Sequence, residues 1–297
     1  MSTSAIIGVV FDFDDTLIPD STTKLLENNG IDPKKFWLED TKKLVTEGYD
    51  PTLAYLKLIL DNIGKDKPLG HLTNDALRCF GKTLDSLYYP GIPQIFDDLK
   101  AKVEQSSKDI KVEFYVISGG LQEIMEGSEI IKKYFDGVYG CKLESDTPGG
   151  ELKYIKRCIN FTEKTRYLFE INKGIEPEKT KKNPYLVNRD VPTSDRRIPI
   201  QNMIYIGDGL TDIPCFSLVK GGTYRENKGG AAFGVFHPGE EKSARRAFLD
   251  LLKSGRTMGT YEPNYTPESA LGSIIRAAVV ARCADIQVER GQVDAEL

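Results

Sequence analysis

Residues 6–17 read Ile6-Ile7-Gly8-Val9-Val10-Phe11-Asp12-Phe13-Asp14-Asp15-Thr16-Leu17. The first six form an unbroken apolar run rich in β-branched residues, the pattern of a strand covered on both faces inside a parallel sheet. The run stops abruptly at Asp12, and Asp14 and Asp15 follow at once. In open α/β sheets ligands bind at the carboxyl ends of the strands, so a buried strand that runs into acids marks a candidate site. Two residues apart on extended chain, the Asp12 and Asp14 side chains start out on the same side.

Two later stretches repeat the arrangement. Residues 112–117 form a strand-like run ended by Ser118-Gly119-Gly120, with helical spacing from about 121 to 134. Residues 203–206 form another, ended by Gly207-Asp208-Gly209-Leu210-Thr211-Asp212. Further strands are expected at 138–143 and 231–236. Strand, polar turn and helix in alternation is the rhythm of an α/β fold with a parallel sheet and helices on both faces. Between the first and second strands, residues 17–88 carry apolar residues at helical spacing, with Asp32-Pro33 as a start signal. The chain therefore reads as a discontinuous core, 1–16 and 89–297, with a helical insert at 17–88. Residues 153–171 read as alternating strands around hairpin turns, 175–200 as a long basic loop, and 241–253 and 266–286 as helices.

Composition narrows the chemistry. The 297 residues hold 40 Lys+Arg against 44 Asp+Glu, a net charge of −4, with two histidines and five cysteines. A balance this close to neutral supplies no field for nucleic acid or an anionic membrane, so neither is expected as a partner. His71 and His237 are too few for a multi-histidine metal site, and both are expected in solvated loops. Cys79, Cys141, Cys158, Cys215 and Cys283 are odd in number and far apart, with no C-x-x-C pair, and read as reduced structural residues. The first residues lack the basic start of a secretory signal, and no apolar stretch approaches the roughly 18 residues that span a bilayer. A cytoplasmic location is expected. Asp12, Asp14, Asp208 and Asp212 brought together without histidine need a counter-charge, which a hard, oxygen-loving cation such as Mg²⁺ supplies. Lys173 adds a second positive charge.

Taken in order, Asp12-Phe13-Asp14-Asp15-Thr16-Leu17, Ser118-Gly119-Gly120, Lys173-Gly174 and Gly207-Asp208-Gly209-Leu210-Thr211-Asp212 resemble the four motifs of the haloacid dehalogenase superfamily. Among its branches the phosphoserine-phosphatase-like one is the most similar. The resemblance covers residue 6 to about 214 and leaves the tail beyond about 236 uncovered. It implies a Rossmann-like core, with residues 17–88 at the position of the family's first cap.

It also implies an activity, the Mg²⁺-dependent hydrolysis of a small phosphorylated metabolite. Asp12 would be the nucleophile that forms an aspartyl-phosphate, and Asp14 the general acid and base. Ser118 and the Gly119 amide would bind the phosphoryl group while Lys173 neutralises its charge. Lys164 competes for that last role, and Lys173 is preferred for the glycine after it and the helix expected to follow. Magnesium would be held by the Asp12 carboxylate, the Asp14 backbone carbonyl and Asp208, with Asp212 at or just behind the metal. A phosphotransferase or mutase would use the same motifs, and a magnesium-binding module without turnover is the reading of another class. Phosphoserine phosphatases carry a glutamate after the first motif and a cap arginine. Here the first stretch reads Ile18-Pro19-Asp20-Ser21 and Arg78 is the insert's one arginine, which points away from phosphoserine.

Overall fold

The computed structural model describes residues 4–223, 228–237, 239 and 241–296, without the side chains of 292–296. The strands are β1 Ile6–Phe11, β2 Lys111–Leu121, β3 Gly137–Ser145, β4 Leu152–Arg157, β5 Met203–Gly207, β6 Ala231–Val235 and β7 Gly259–Tyr261. They form one seven-stranded sheet in the order β4-β3-β2-β1-β5-β6-β7. The pairs β1–β5, β5–β6 and β6–β7 are parallel, and β3–β4 is antiparallel. Among the described residues no helix is long and apolar enough to cross a membrane.

The chain divides into two compact units. One holds the residues up to Leu17, Tyr89–Tyr115 and Phe161 onward. Its strand β1 is apolar throughout because β5 lies beside it and both faces are covered, leaving Ile7, Val9, Val10 and Phe11 without exposure. The register pairs Phe11 with Ile206, and the Asp12 amide continues the ladder to the Ile206 carbonyl at 2.8 Å. Asp12 and Asp208 therefore leave neighbouring strands at the same end. Gly207 pairs with Gly234 on β6, so His237 emerges at that end too.

The tail extends this unit. Its strand β7 pairs Tyr261 with Val235 and adds an edge to the sheet. The helix Ala270–Glu296 starts a turn later than the expected Thr266-Pro267-Glu268 and packs on Gln94–Ser106, where Arg276 meets Asp98 at 2.5 Å. Residues 161–173 are one helix, Phe161–Lys173, rather than the tail of a hairpin. Only β4 belongs to the strand pattern read at 153–171. The hairpin expectation fails because Tyr167, Leu168 and Ile171 recur at helical spacing. In the basic segment 175–200, Arg197 grips Glu113 with two bonds of 2.6 Å, and Lys179 and Lys181 pair with Glu176 and Glu178. Those charges are spent at home rather than offered to a ligand.

The other unit holds Ile18–Tyr88 and Val116–Asn160, so the helical insert is packed together with residues that the sequence assigns to the core. Asp20, Asp32 and Asp50 cap its first helices, each accepting from backbone amides of the first turn. Helices Asn74–Thr83 and Gln122–Gly127 pack nearly backbone to backbone. A Cβ on Gly81 would lie 1.9 Å from the Ile124 carbonyl oxygen, and one on Gly127 2.1 Å from that of Arg78. The helix expected over 121–134 is two, Gln122–Gly127 and Glu129–Tyr134, because Ser128 breaks it and caps the second through Ile131 N at 3.3 Å.

Candidate active site

The Asp12 carboxylate is buried, 5% exposed, where β1 ends. Its Oδ1 accepts from the Phe13 amide at 2.8 Å and its Oδ2 faces the Lys164 ammonium at 3.1 Å. Lys164, itself 1% exposed, donates to Asp212 Oδ1 at 2.7 Å and so bridges two acids. Asp212, with no exposure, also accepts from the Tyr205 hydroxyl at 2.6 Å and from the Gly209 amide at 3.1 Å. Gly207 makes room for this, since a Cβ there would stand 2.6 Å from the Asp212 Cγ. Oxygens of Asp12, Asp208 and Asp212 all lie within 4.8 Å of one another.

Electrostatics follow from that crowding. Desolvation and then the Asp212 charge push the Asp12 carboxyl up to about 7, against the pull of Lys164 and the Phe13 amide. Desolvation followed by Asp12, Asp212 and Asp15 raises Asp208 well above the carboxylate range. Burial works to lower Lys164, but Asp12 and Asp212 outweigh it and hold the ammonium above its ordinary range. Three carboxylates share one ammonium, so the cluster is short of positive charge. A divalent cation with oxygen preference fits this donor set: hard ligands, excess negative charge, and one partly open member in the half-buried Asp208. Asp212 has its oxygens engaged by Lys164, Tyr205 and Gly209, which suits it to orienting the group from behind.

The lysine preferred from the sequence is elsewhere. Lys173 ends the helix Phe161–Lys173 and donates to the Val187 and Arg189 carbonyls at 2.5 and 2.8 Å. Nine residues separate it from Lys164, which is about 13 Å along the axis and half a turn around it. One helix cannot present both to one site. Gly174, at φ +68°, is the left-handed cap that closes the helix, with Ile175 N bonded to Glu170 O at 2.9 Å. The Lys-Gly pair thus marks a helix end. The signal for Lys164 is its place on the stripe with Tyr167, Leu168 and Ile171, a cation where an apolar residue is due.

His237 is also corrected. It is no solvated loop histidine: its Nε2 lies 3.1 Å from Asp15 Oδ2, and Asp15, Asp208 and His237 form a second group of atoms within 4.8 Å. Asp15 reaches it from a left-handed turn, φ +57°, which aspartate tolerates better than most residues. His237 follows a predicted strand just as Asp12 does, and that was its signal. His71 is 74% exposed beside Glu151, as expected. The tail supplies Tyr265, which is fully buried and donates its hydroxyl to the Thr16 carbonyl at 2.8 Å. Nothing in the motifs pointed to it. Asp14 is half-buried two residues beyond Asp12. Its charge, after desolvation, Asp15 and Asp208, helps raise the Tyr89 phenol.

Ser118 and Gly119 belong to the other unit. They lie within β2 rather than in a turn beyond it, and Ser118 is buried with its Oγ accepting from Gly120 N at 2.9 Å. The Gly119 carbonyl accepts from the Tyr55 hydroxyl and from Cys141 Sγ, the latter at 3.1 Å.

Comparison with solved structures settles the fold. A HAD family hydrolase of Salmonella enterica serovar Typhi aligns over 88% of this chain and 68% of its own, at 15% identity and a TM-score of 0.53. A probable phosphoserine phosphatase of Vibrio cholerae aligns over 97% and 68%, at 13% identity and a TM-score of 0.54. The chain has the haloacid dehalogenase fold. Within that HAD fold it belongs to one family with an uncharacterized protein of Borreliella burgdorferi, 30% identical over 91% of this chain and 98% of the relative. No protein-family profile matches the sequence. The HAD assignment agrees with the sheet order and with the placement of Asp12 and Asp208 at adjacent strand ends.

Proposed function

We propose that the protein is a HAD-type phosphatase that hydrolyses a phosphomonoester through Asp12. The observation that carries this is the Lys164 ammonium clamped between the Asp12 and Asp212 carboxylates, with Asp208 beside them. A lysine in that place fixes one Asp12 oxygen and offsets part of the negative charge that a phosphoryl group would meet, the requirement of a reaction in which positioning and charge stabilisation do most of the catalysis.

In this reading an Asp12 oxygen attacks phosphorus as the ester P–O bond breaks, and the Asp14 carboxyl protonates the leaving oxygen. The Asp14 carboxylate then takes a proton from water, which attacks the aspartyl-phosphate, releases inorganic phosphate and restores Asp12. Lys164 takes the role first considered for Lys173. Ser118 and the Gly119 amide are assigned to the phosphoryl oxygens, and an accepting hydroxyl such as that of Ser118 still has its own proton to give. Magnesium would be held by Asp12, Asp208 and the Asp14 carbonyl, with Asp212 behind. When bound it supplies the positive charge that keeps the carboxylates ionised and screens the phosphate. The insert is assigned the role of a cap.

The substrate is proposed to be a small phosphorylated metabolite other than phosphoserine. Arg78, the one insert arginine, is engaged by Asp75 at 2.8 Å and lies 3.8 and 4.0 Å from Glu126 and Glu123, so it is not set to grip an amino-acid carboxylate. The test is turnover of an aryl phosphate with Mg²⁺ or EDTA, for the wild type and Asp12→Asn. Metal-dependent release of free phosphate, lost in the variant, is expected. Full activity in Asp12→Asn, or none with Mg²⁺, would overturn the reading.

A further inference from the structure

The five cysteines are reduced thiols spread through the sequence, yet the fold brings two of them close together. Strands β3 and β4 are antiparallel and Lys142–Arg157 is the last pair of their ladder, so continuing that register one residue past the end of β4 sets Cys141 opposite Cys158. The chain on both sides of Cys158 is tied to the β3 backbone at this level: Arg157 Nε donates to Gly140 O at 2.8 Å, and Ile159 N donates to Cys141 Sγ at 3.2 Å. Directly opposed residues of an antiparallel pair have Cα atoms about 4.5–5.5 Å apart, inside the roughly 4.4–6.8 Å span of a disulfide. The Cys158 side chain hydrogen-bonds the Cys141 sulfur.

The Cys141 sulfur has a second connection. It donates to the carbonyl of Gly119, in the Ser118-Gly119-Gly120 segment to which phosphoryl binding is assigned above, at 3.1 Å. A disulfide has no S–H, so oxidation would delete that bond and leave the carbonyl to the Tyr55 hydroxyl. We propose that Cys141 and Cys158 are a redox modification site, a reversible disulfide whose formation loosens the Ser118-Gly119-Gly120 segment. Its effect on turnover rests on the phosphatase reading; the disulfide itself does not.

The chemistry is complete with a peroxide as oxidant. Cys158, the more exposed of the two, attacks one peroxide oxygen as its thiolate; the O–O bond breaks, hydroxide leaves, and a sulfenic acid forms. The buried Cys141 thiolate then attacks that sulfur, the S–O bond breaks and a second hydroxide leaves. Two thiols lose two protons and two electrons, and the peroxide becomes two waters. Cys141 is suited to the second step. In the reduced protein chiefly the Cys158 hydrogen bond, then the Ile159 amide, Tyr55 and the Arg157 charge, hold its thiol below the ordinary value although burial works the other way, and the last three stay in place once Cys158 is a sulfenic acid.

The test treats the full-length protein with hydrogen peroxide, blocks remaining thiols with N-ethylmaleimide, and maps peptides without reduction. A linked Cys141–Cys158 peptide that disappears with dithiothreitol is expected, with Cys215 and Cys283 alkylated. Hydrogen exchange in the peptide carrying residues 118–121 should speed up several-fold on oxidation, and aryl phosphate turnover should fall about tenfold and recover on reduction. Cys158→Ser should keep basal turnover and lose every response; Cys79→Ser should keep them. Cys141 and Cys158 both alkylated after peroxide, or linked with unchanged exchange at 118–121 and unchanged turnover, would overturn the proposal. A protein with no phosphatase activity fails the functional reading alone, because linkage and exchange are read without turnover.

Discussion

Lys164 is an ammonium taken out of water and held by two acids, Asp12 at 3.1 Å and Asp212 at 2.7 Å. Removing one partner of such a group leaves buried charge uncompensated, at a cost of about 3–5 kcal/mol. Lys164→Met is therefore expected to lower turnover by roughly 10²–10³, the loss typical of one oriented electrostatic contact, with folding checked by circular dichroism. Lys173→Met, whose ammonium holds the Val187 and Arg189 carbonyls, should stay within about twofold of wild type. The reverse pattern in steady-state kinetics would return the role to Lys173. A second residue-scale prediction concerns Gly207. Its Cβ would meet the Asp212 carboxylate at 2.6 Å, so Gly207→Ala should cost about 1–3 kcal/mol in urea denaturation and disturb the Asp212 contacts to Lys164 and Tyr205.

Among the elements, the helix pair Asn74–Thr83 and Gln122–Gly127 is held close by Gly81 and Gly127. Propensity alone says that Gly81→Ala stabilises its helix by about 1 kcal/mol. The 1.9 Å approach to the Ile124 carbonyl oxygen reverses the sign, and thermal unfolding should show a net loss of about 1–3 kcal/mol. A Tm raised by the substitution would mean the helices separate freely. The sequence made the strands legible because a strand covered on both faces must be apolar throughout, and it made Asp12 and Asp208 legible because each ends such a run. Helix phase was harder. Residues 161–173 carry polar groups on the buried stripe, Lys164 among them, which obscured the helical period and shifted attention to a lysine on the opposite side. Cross-strand neighbours such as Cys141 and Cys158 depend on the register of a short antiparallel pair, which no local pattern specifies. Tyr265 was invisible for a related reason: its partner, the Thr16 carbonyl, is backbone and leaves no mark on the sequence.

For the molecule as a whole, the excess of carboxylates at the site is a stability cost that a cation removes. Asp12, pushed up to about 7, and Asp208, raised well above the carboxylate range, bind protons more tightly folded than unfolded. Where the folded state holds more protons, stability falls as pH rises. In EDTA, Tm should therefore drop between about pH 4 and 7 by roughly 5 °C, and Mg²⁺ at pH 8 should restore most of it. Asp208→Asn should flatten the pH dependence in EDTA and lose the response to Mg²⁺; a Tm that rises with pH in EDTA would contradict the charge argument. The bond from Tyr265 to Thr16 spans 249 residues, the fully buried tyrosine holding the loop that begins at Asp12. At synthesis rates of about 5–20 residues per second, some 12–50 s pass between making the two ends of that bond. A ribosome-bound chain thus carries every residue of the four motifs before the clasp on its first loop exists, and the loop that follows the nucleophile is fastened only once Tyr265 has been made.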